Sequence, residues 1–200
     1  MRGQRGIALL VSLMLLIMVM LLGVSAAQMA LQGEKAARGE RDRDVAFVAA
    51  EDGLMDAERE IQDSSDPARR AAFGSGDGFA DTCGEDSPGP GPGLRVRAAA
   101  GKPPVWQVVD LSGAEDGGAC TVTHGAYTGS AMPTGEGFLP FKKPRYLIER
   151  LECHQPGDDA SAAEGAGPRY CYRVTAIGFG SHPQVEMVLQ SVFSKPEDAP

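Results

Sequence analysis

Positive charge is in deficit in this chain, no two cysteines lie close together, and only one long apolar run is present. Each shortage removes a class of function. With 19 Lys plus Arg against 27 Asp plus Glu, the net charge is −8 at neutral pH. That balance argues against binding nucleic acid or an anionic membrane surface by general electrostatics. Lys142-Lys143 and Arg69-Arg70 are isolated basic pairs, too small for a DNA-binding stripe, so no nucleic-acid partner is expected. The spacings among Cys83, Cys120, Cys153 and Cys171 contain no close ligand pair, and only Cys153-His154 sets two ligand types side by side. A zinc site needs such a pair, so none is expected. No serine lies in a G-x-S-x-G elbow, and Gly74-Ser75-Gly76 lacks that spacing, which leaves catalysis without support. His124, His154 and His182 sit near turn signals and are expected at the surface. Asp77-Gly78-Phe79-Ala80-Asp81 and Asp158-Asp159 offer hard oxygen ligands, but neither follows the spacing of a calcium-binding loop. They read as solvated acidic loops. No metal and no cofactor is expected.

What is present begins at the start of the chain. Ile7–Val24 is uncharged throughout and long enough to cross a bilayer, since about 20 residues at about 1.5 Å each span the ~30 Å hydrocarbon core. Arg2 and Arg5 precede it and favour a cytoplasmic start, with the remainder outside. Beyond Leu31 come Gln32, Glu34, Lys35 and Arg38, so the span stops there, and the expectation is a single-pass protein. Ser25-Ala26-Ala27 resembles a signal-peptide cleavage site, but the apolar run exceeds the usual signal length.

The helical pattern continues past the membrane. Phe47, Ala50, Leu54, Ala57 and Ile61 recur at helical spacing as one apolar stripe, with Glu51, Asp52, Asp56, Glu58, Arg59 and Glu60 opposite as a solvated face. Ser64-Ser65-Asp66-Pro67 supplies the stop, because proline disfavours helical geometry in the residue before it. One helix is therefore expected over 7–63, with 7–31 in lipid. Gly23, Gly33, Gly39 and Gly53 interrupt it, and Gly33 with Gly39 marks a weak joint between the halves. Residues 64–104 show no sustained period, and Ser87–Gly93 alternates proline with glycine as an extended loop. Strands are expected at Val105–Leu111, Cys120–His124, Arg145–Cys153, Tyr170–Phe179 and Gln184–Phe193, a sheet domain over 105–200. In the last of these Val185, Met187, Leu189 and Phe193 share one face, with Glu186 and Gln190 on the other. Gly180-Ser181-His182-Pro183 turns the final hairpin, and Asp158–Gly167 is a small-residue loop. The economical architecture is α+β, a long N-terminal helix packed through its stripe on an antiparallel sheet.

An even cysteine count beyond a membrane span reads as two disulfides, with three possible pairings. Cys153 ends one expected strand and Cys171 begins the next, which favours that pair across a hairpin and leaves Cys83 with Cys120. Each bridge contributes about 2–4 kcal/mol by restricting the unfolded chain.

A basic leader ending in Gly6, an N-terminal helix from Ile7 and a disulfide-bearing sheet together resemble a type IV pilin. The segments 41–54 (RDRDVAFVAAEDGL), 144–149 (PRYLIE), 172–176 (YRVTA) and 188–193 (VLQSVF) are similar to the PilX family of minor pilins. The resemblance implies a leader over 1–6, cut after Gly6 by prepilin peptidase, and methylation of the new terminus at Ile7. It implies residence in the bacterial inner membrane with the C-terminal domain in the periplasm, followed by transfer into a pilus. The partners it implies are membrane lipid, the inner-membrane pilus assembly machinery, the major pilin and other minor pilins. Major pilins carry a glutamate at the fifth residue after the cut, where this chain has Val11. A carboxylate at that depth costs about 2.5–3.5 kcal/mol or more and is kept for a partner. Its absence points to a tip or priming subunit in adhesion and twitching motility. Two rivals remain, a tip pseudopilin of type II secretion and a membrane-anchored periplasmic binding domain.

Overall fold

The computed structural model describes residues 5–83, 90–135, 137–153 and 170–195. His154, the Asp158-Asp159 pair, the loop over 158–167 and Ser87-Pro88-Gly89 lie outside the described residues. The chain divides into two compact units, Met1–Arg41 and Asp42–Pro200. Throughout its described residues the first unit is helical. It belongs to α1, which spans Arg5–Asp63 and is helical through Gly23, Gly33, Gly39 and Gly53 alike. A helix pairs its interior backbone polar groups within itself, the condition for any segment able to cross a bilayer.

The second unit is built on a five-stranded sheet of order β1-β3-β4-β5, with β2 also paired to β3. The strands are β1 (Leu94–Val96), β2 (Val122–Thr123), β3 (Arg145–Glu152), β4 (Tyr170–Phe179) and β5 (Glu186–Ser194). β3, β4 and β5 form an antiparallel meander, whereas β1 runs parallel to β3, so the sheet is mixed. α1 lies on one face of this sheet, giving the α+β class.

Three expectations change. Residues 64–104 are not one loop, because they hold α2 (Pro67–Ser75) and β1. Asp66 does more than stop α1: its carboxylate accepts hydrogen bonds from the amides of Ala68 and Arg69, capping α2, with Pro67 in the first turn. A nine-residue helix is too short to display a sustained period. Second, Val105–Leu111 is not a strand. Val105–Val108 forms one helical turn, α3, directly after Pro104. Third, Cys120–His124 contributes only Val122–Thr123 to the sheet.

The contact face of α1 also differs from the apolar stripe. Ala46, Ala49, Ala50, Ala57 and Ile61 are buried, while Phe47 is 41% exposed and Leu54 is partly buried. The reason is close approach. A Cβ added at Gly178 of β4 would overlap the Ala46 carbonyl and the Ala50 amide, and one at Gly53 would press on Ala176 and Pro144 at 3.3 Å. Small residues let helix and sheet touch backbone to backbone, and a phenylalanine is left at the rim. Asp56 and Glu60, placed on the solvated face by the pattern, are fully buried.

Glu60 anchors a polar cluster at the centre of this layer. It is ion-paired with Nε of Arg69 from α2, and both side chains are fully buried. The Tyr146 hydroxyl of β3 donates to the other Glu60 oxygen at 2.6 Å. Arg69 is held by further contacts. Its Nη1 donates to the Pro92 carbonyl at 2.9 Å, and its guanidinium lies 3.9 Å from the Tyr127 ring centroid. Burial pushes Glu60 upward, opposed by Arg69 and the Tyr146 hydrogen bond, while burial and the Glu60 carboxylate push the Tyr146 hydroxyl upward. Around the cluster pack Ala57, Ile61, Phe73, Ile148, Tyr172 and Val174.

Removing one member of a buried pair strands the other charge, at a cost of about 3–5 kcal/mol. Glu60→Gln should therefore lower unfolding stability by about that amount. The double replacement Glu60→Leu, Arg69→Met removes both charges and should lose much less. Denaturant titration of the three proteins checks this; a double variant as unstable as the single one would contradict it.

Candidate assembly helix and its clasp

The functional candidates lie along α1. In the first unit the helix is long and apolar enough to cross a membrane, and none of its apolar window is buried within the molecule. Ile7, Leu10, Val11, Leu15, Met18 and Leu22 are all more than half exposed, so apolar surface faces every direction. No charged residue interrupts 7–31, and beyond it Arg38 pairs with Glu34 one turn away. Gly6 and Gly23 have open space where a Cβ would stand. Gly6 and Ile7 are thus adjacent helical residues with exposed side-chain positions, and Val11 lies one turn further on.

In the second unit the sheet holds α1 by carboxylates at intervals. Asp42 is 6% exposed and accepts hydrogen bonds from the amide and hydroxyl of Ser181, while His182 Nδ1 lies 3.0 Å from its other oxygen. Gly180 makes room, since a Cβ there would meet the Asp42 side chain. The β4–β5 turn thus clasps α1. Lower on the helix, Asp56 accepts from the Gly125 amide at 2.7 Å and from the Thr128 hydroxyl. His124, expected at the surface, is 2% exposed, with Nε2 3.1 Å from Asp52. It is buried because the turn after β2 folds over α1. His182 remains exposed, as the pattern suggested.

Of the stripe residues, Ala57 and Ile61 enter the core and Leu54 packs against it. Phe47 instead joins Val48, 59% exposed, and Met55, 50% exposed, on the outward side of α1. The cysteines pair as Cys83–Cys120, with Cα atoms 5.1 Å apart, and Cys153–Cys171, 5.4 Å apart. The first ties the segment after α2 to the loop before β2, and the second staples the start of β4 to the residue after β3. Among the described residues no group of His, Cys, Asp and Glu is arranged to hold a metal ion. Sequence reasoning missed Asp42, Asp56, Glu60 and Gly178. Their signal was weak: Asp52, Asp56 and Glu60 recur every fourth residue along the border of the apolar stripe, and Gly178 sits inside a strand.

Burial alone would raise the Asp42 pKa, but the hydrogen bonds from Ser181 and His182 outweigh it and hold the carboxyl below its usual value. A carboxylate depressed in this way stabilises the fold above its unfolded pKa of about 3.9, and that stability is lost as pH falls through the lower folded value. Asp42→Asn should therefore cost about 1–2 kcal/mol at neutral pH and flatten the loss of stability below about pH 4. Unfolding of both proteins across that range checks it; superimposable acid limbs would contradict the clasp.

Two family profiles match the chain. The one described as PilX N-terminal covers residues 5–54, and the one described as type IV pilus assembly protein PilX, C-terminal, covers residues 67–195. No curated protein and no solved structure matches it. The two matches take in the apolar helix, the sheet and all four cysteines, and the chain belongs to the PilX family, the minor pilins of type IV pilus assembly.

Proposed function

We propose that this minor pilin primes assembly of a type IV pilus, or caps it, from the filament end. The observation that carries the reading is Val11 at half exposure on a helix that is apolar on every side, with no carboxylate anywhere in 7–31. A shaft subunit profits from a charge at that depth because the amine of a neighbour compensates it. A terminal subunit has no neighbour above and keeps an apolar residue without loss.

The route follows from the chemistry of the two halves. The apolar half resides in the bacterial inner membrane with the sheet domain in the periplasm, until prepilin peptidase cuts between Gly6 and Ile7 and Ile7 is methylated. The assembly machinery then draws the helix out of lipid, where apolar surface on all sides suits it for a bundle with the major pilin and other minor pilins. Phe47, Val48 and Met55 supply the outward face of the soluble half. The sheet domain, stapled by its disulfides and clasped at Asp42, contributes structure and contacts rather than catalysis, and the end position serves adhesion and twitching motility.

The decisive experiment is genetic, with a biochemical arm. The mature protein should begin at Ile7, a bulky residue at Gly6 should block that cleavage, and deletion of the gene should sharply thin surface pili. Wild-type piliation in the deletion strain would refute priming. Loss of protein secretion with pili intact would instead assign the chain to a type II secretion pseudopilus. For Val11→Glu, abundant incorporation along the shaft would contradict the terminal position.

A further inference from the structure

β5 ends the sheet, and among the described residues no strand pairs with its outer edge. Natural sheets guard such edges with lysine, proline, bulges or very short strands. The opposite edge is guarded: β1 has only three residues, and Ala80 bridges to Arg95 beside it. β5 has none of these devices. It is nine residues long, EMVLQSVFS, without proline, glycine or lysine, and its one charge is Glu186 at the end. Its residues alternate cleanly between half-buried and exposed. Met187, Leu189, Ser191 and Phe193 face the α1 layer, where Ser191 donates to Glu58 and Phe193 packs on the core. Glu186, Val188, Gln190, Val192 and Ser194 face outward, with Val188 42% and Val192 65% exposed.

The outward row reads the same in both directions about Gln190, apart from its ends. Antiparallel pairing with a second β5 about that residue sets Val188 against Val192 twice and Gln190 against Gln190. On the other face it sets Leu189 against Ser191 and Met187 against Phe193. Apolar cross-strand pairs of this kind are the unit of sheet stabilisation. Charge selects the direction. In the antiparallel register each Glu186 meets a Ser194 and the two carboxylates lie about 27 Å apart, at about 3.4 Å per residue. Parallel pairing would instead oppose Glu186 to Glu186, which is destabilising.

We infer that β5 is a self-pairing edge, through which two copies of this chain join their sheets in an isologous, two-fold contact. The axis of such a contact is normal to the sheet. It reverses the Asp42–Asp63 part of α1, which packs on one sheet face. Resting on the filament reading above, this is the relation of copies carried by two opposed filaments, not of neighbours in one.

The test uses the full chain, solubilised in detergent, with Gln190→Cys and a short bifunctional thiol reagent. Across the two-fold axis the Cβ atoms lie about 5 Å apart, so a covalent dimer should form. Glu186→Cys, whose copies lie far apart, should stay monomeric under the same treatment. Adding Val192→Lys to Gln190→Cys sets a charge in the seam at an exposed position, and cross-linking should fall to the Glu186→Cys level with the circular dichroism unchanged. As a check free of new cysteines, differently tagged wild-type chains should co-purify and Val192→Lys chains should not. Equal cross-linking of both cysteine variants, cross-linking of neither, or capture of a different protein at residue 190 would overturn the inference. Cleavage after Gly6 and piliation read the filament function separately. Pairing lost with piliation intact refutes only the edge, and pairing intact without any effect of gene deletion on pili refutes only the filament reading.

Discussion

Buried inside the second unit, the carboxylate of Glu60 would be untenable alone, since a desolvated charge costs several kcal/mol until something compensates it. Arg69 and the Tyr146 hydroxyl do so, and they come from different parts of the chain. Arg69 in turn is held by the Pro90 and Pro92 carbonyls ahead of β1 and lies over Tyr127 beyond β2. A single charge need thus ties α1, α2, β3 and two loops into one arrangement. Apolar packing would tolerate a small slide of the helix. The ion pair does not, because its geometry must be satisfied to repay its desolvation.

The close approach of helix and sheet is the second half of that arrangement. Alanines at 46, 49, 50 and 57 and glycines at 53 and 178 bring backbone against backbone. The hydrogen-bonding groups of the β4–β5 turn and of the turn after β2 then reach Asp42 and Asp56 directly. Within the second unit, α1 is held at its start, at its middle and near its end. Fastened at three points, the helix can pass load to the sheet without unpeeling from it. Of the larger apolar residues of α1, Ile61 enters this interface, whereas Phe47, Val48 and Met55 remain outward.

Much of this was legible in the residues. The extent of α1, the β3–β4–β5 meander and the alternation along β5 follow from periods of 3.6 and 2 that local geometry imposes. The errors share a cause. α2 and α3 are short and set by caps and prolines, so they leave no period to read. Phe47 was placed inside because the pattern weighs hydrophobicity, whereas the contact selected for smallness. The pattern puts Asp56, Glu60 and His124 outside because a polar side chain shows its burial only when its partner is known. Those partners lie far along the chain, Tyr146 being 86 residues from Glu60.

By itself the sequence determined the apolar helix, its uncharged depth at Val11, the cysteine framework and the strand pattern of the meander. Each is a local property of composition and spacing. Folding settles which face of the helix meets the sheet, which charges are buried, that β1 joins in parallel, and which strand ends the sheet among the described residues. Those outcomes depend on distance between residues remote in sequence. Charge compensation and backbone clearance, the forces that settle them, act only once the chain has folded.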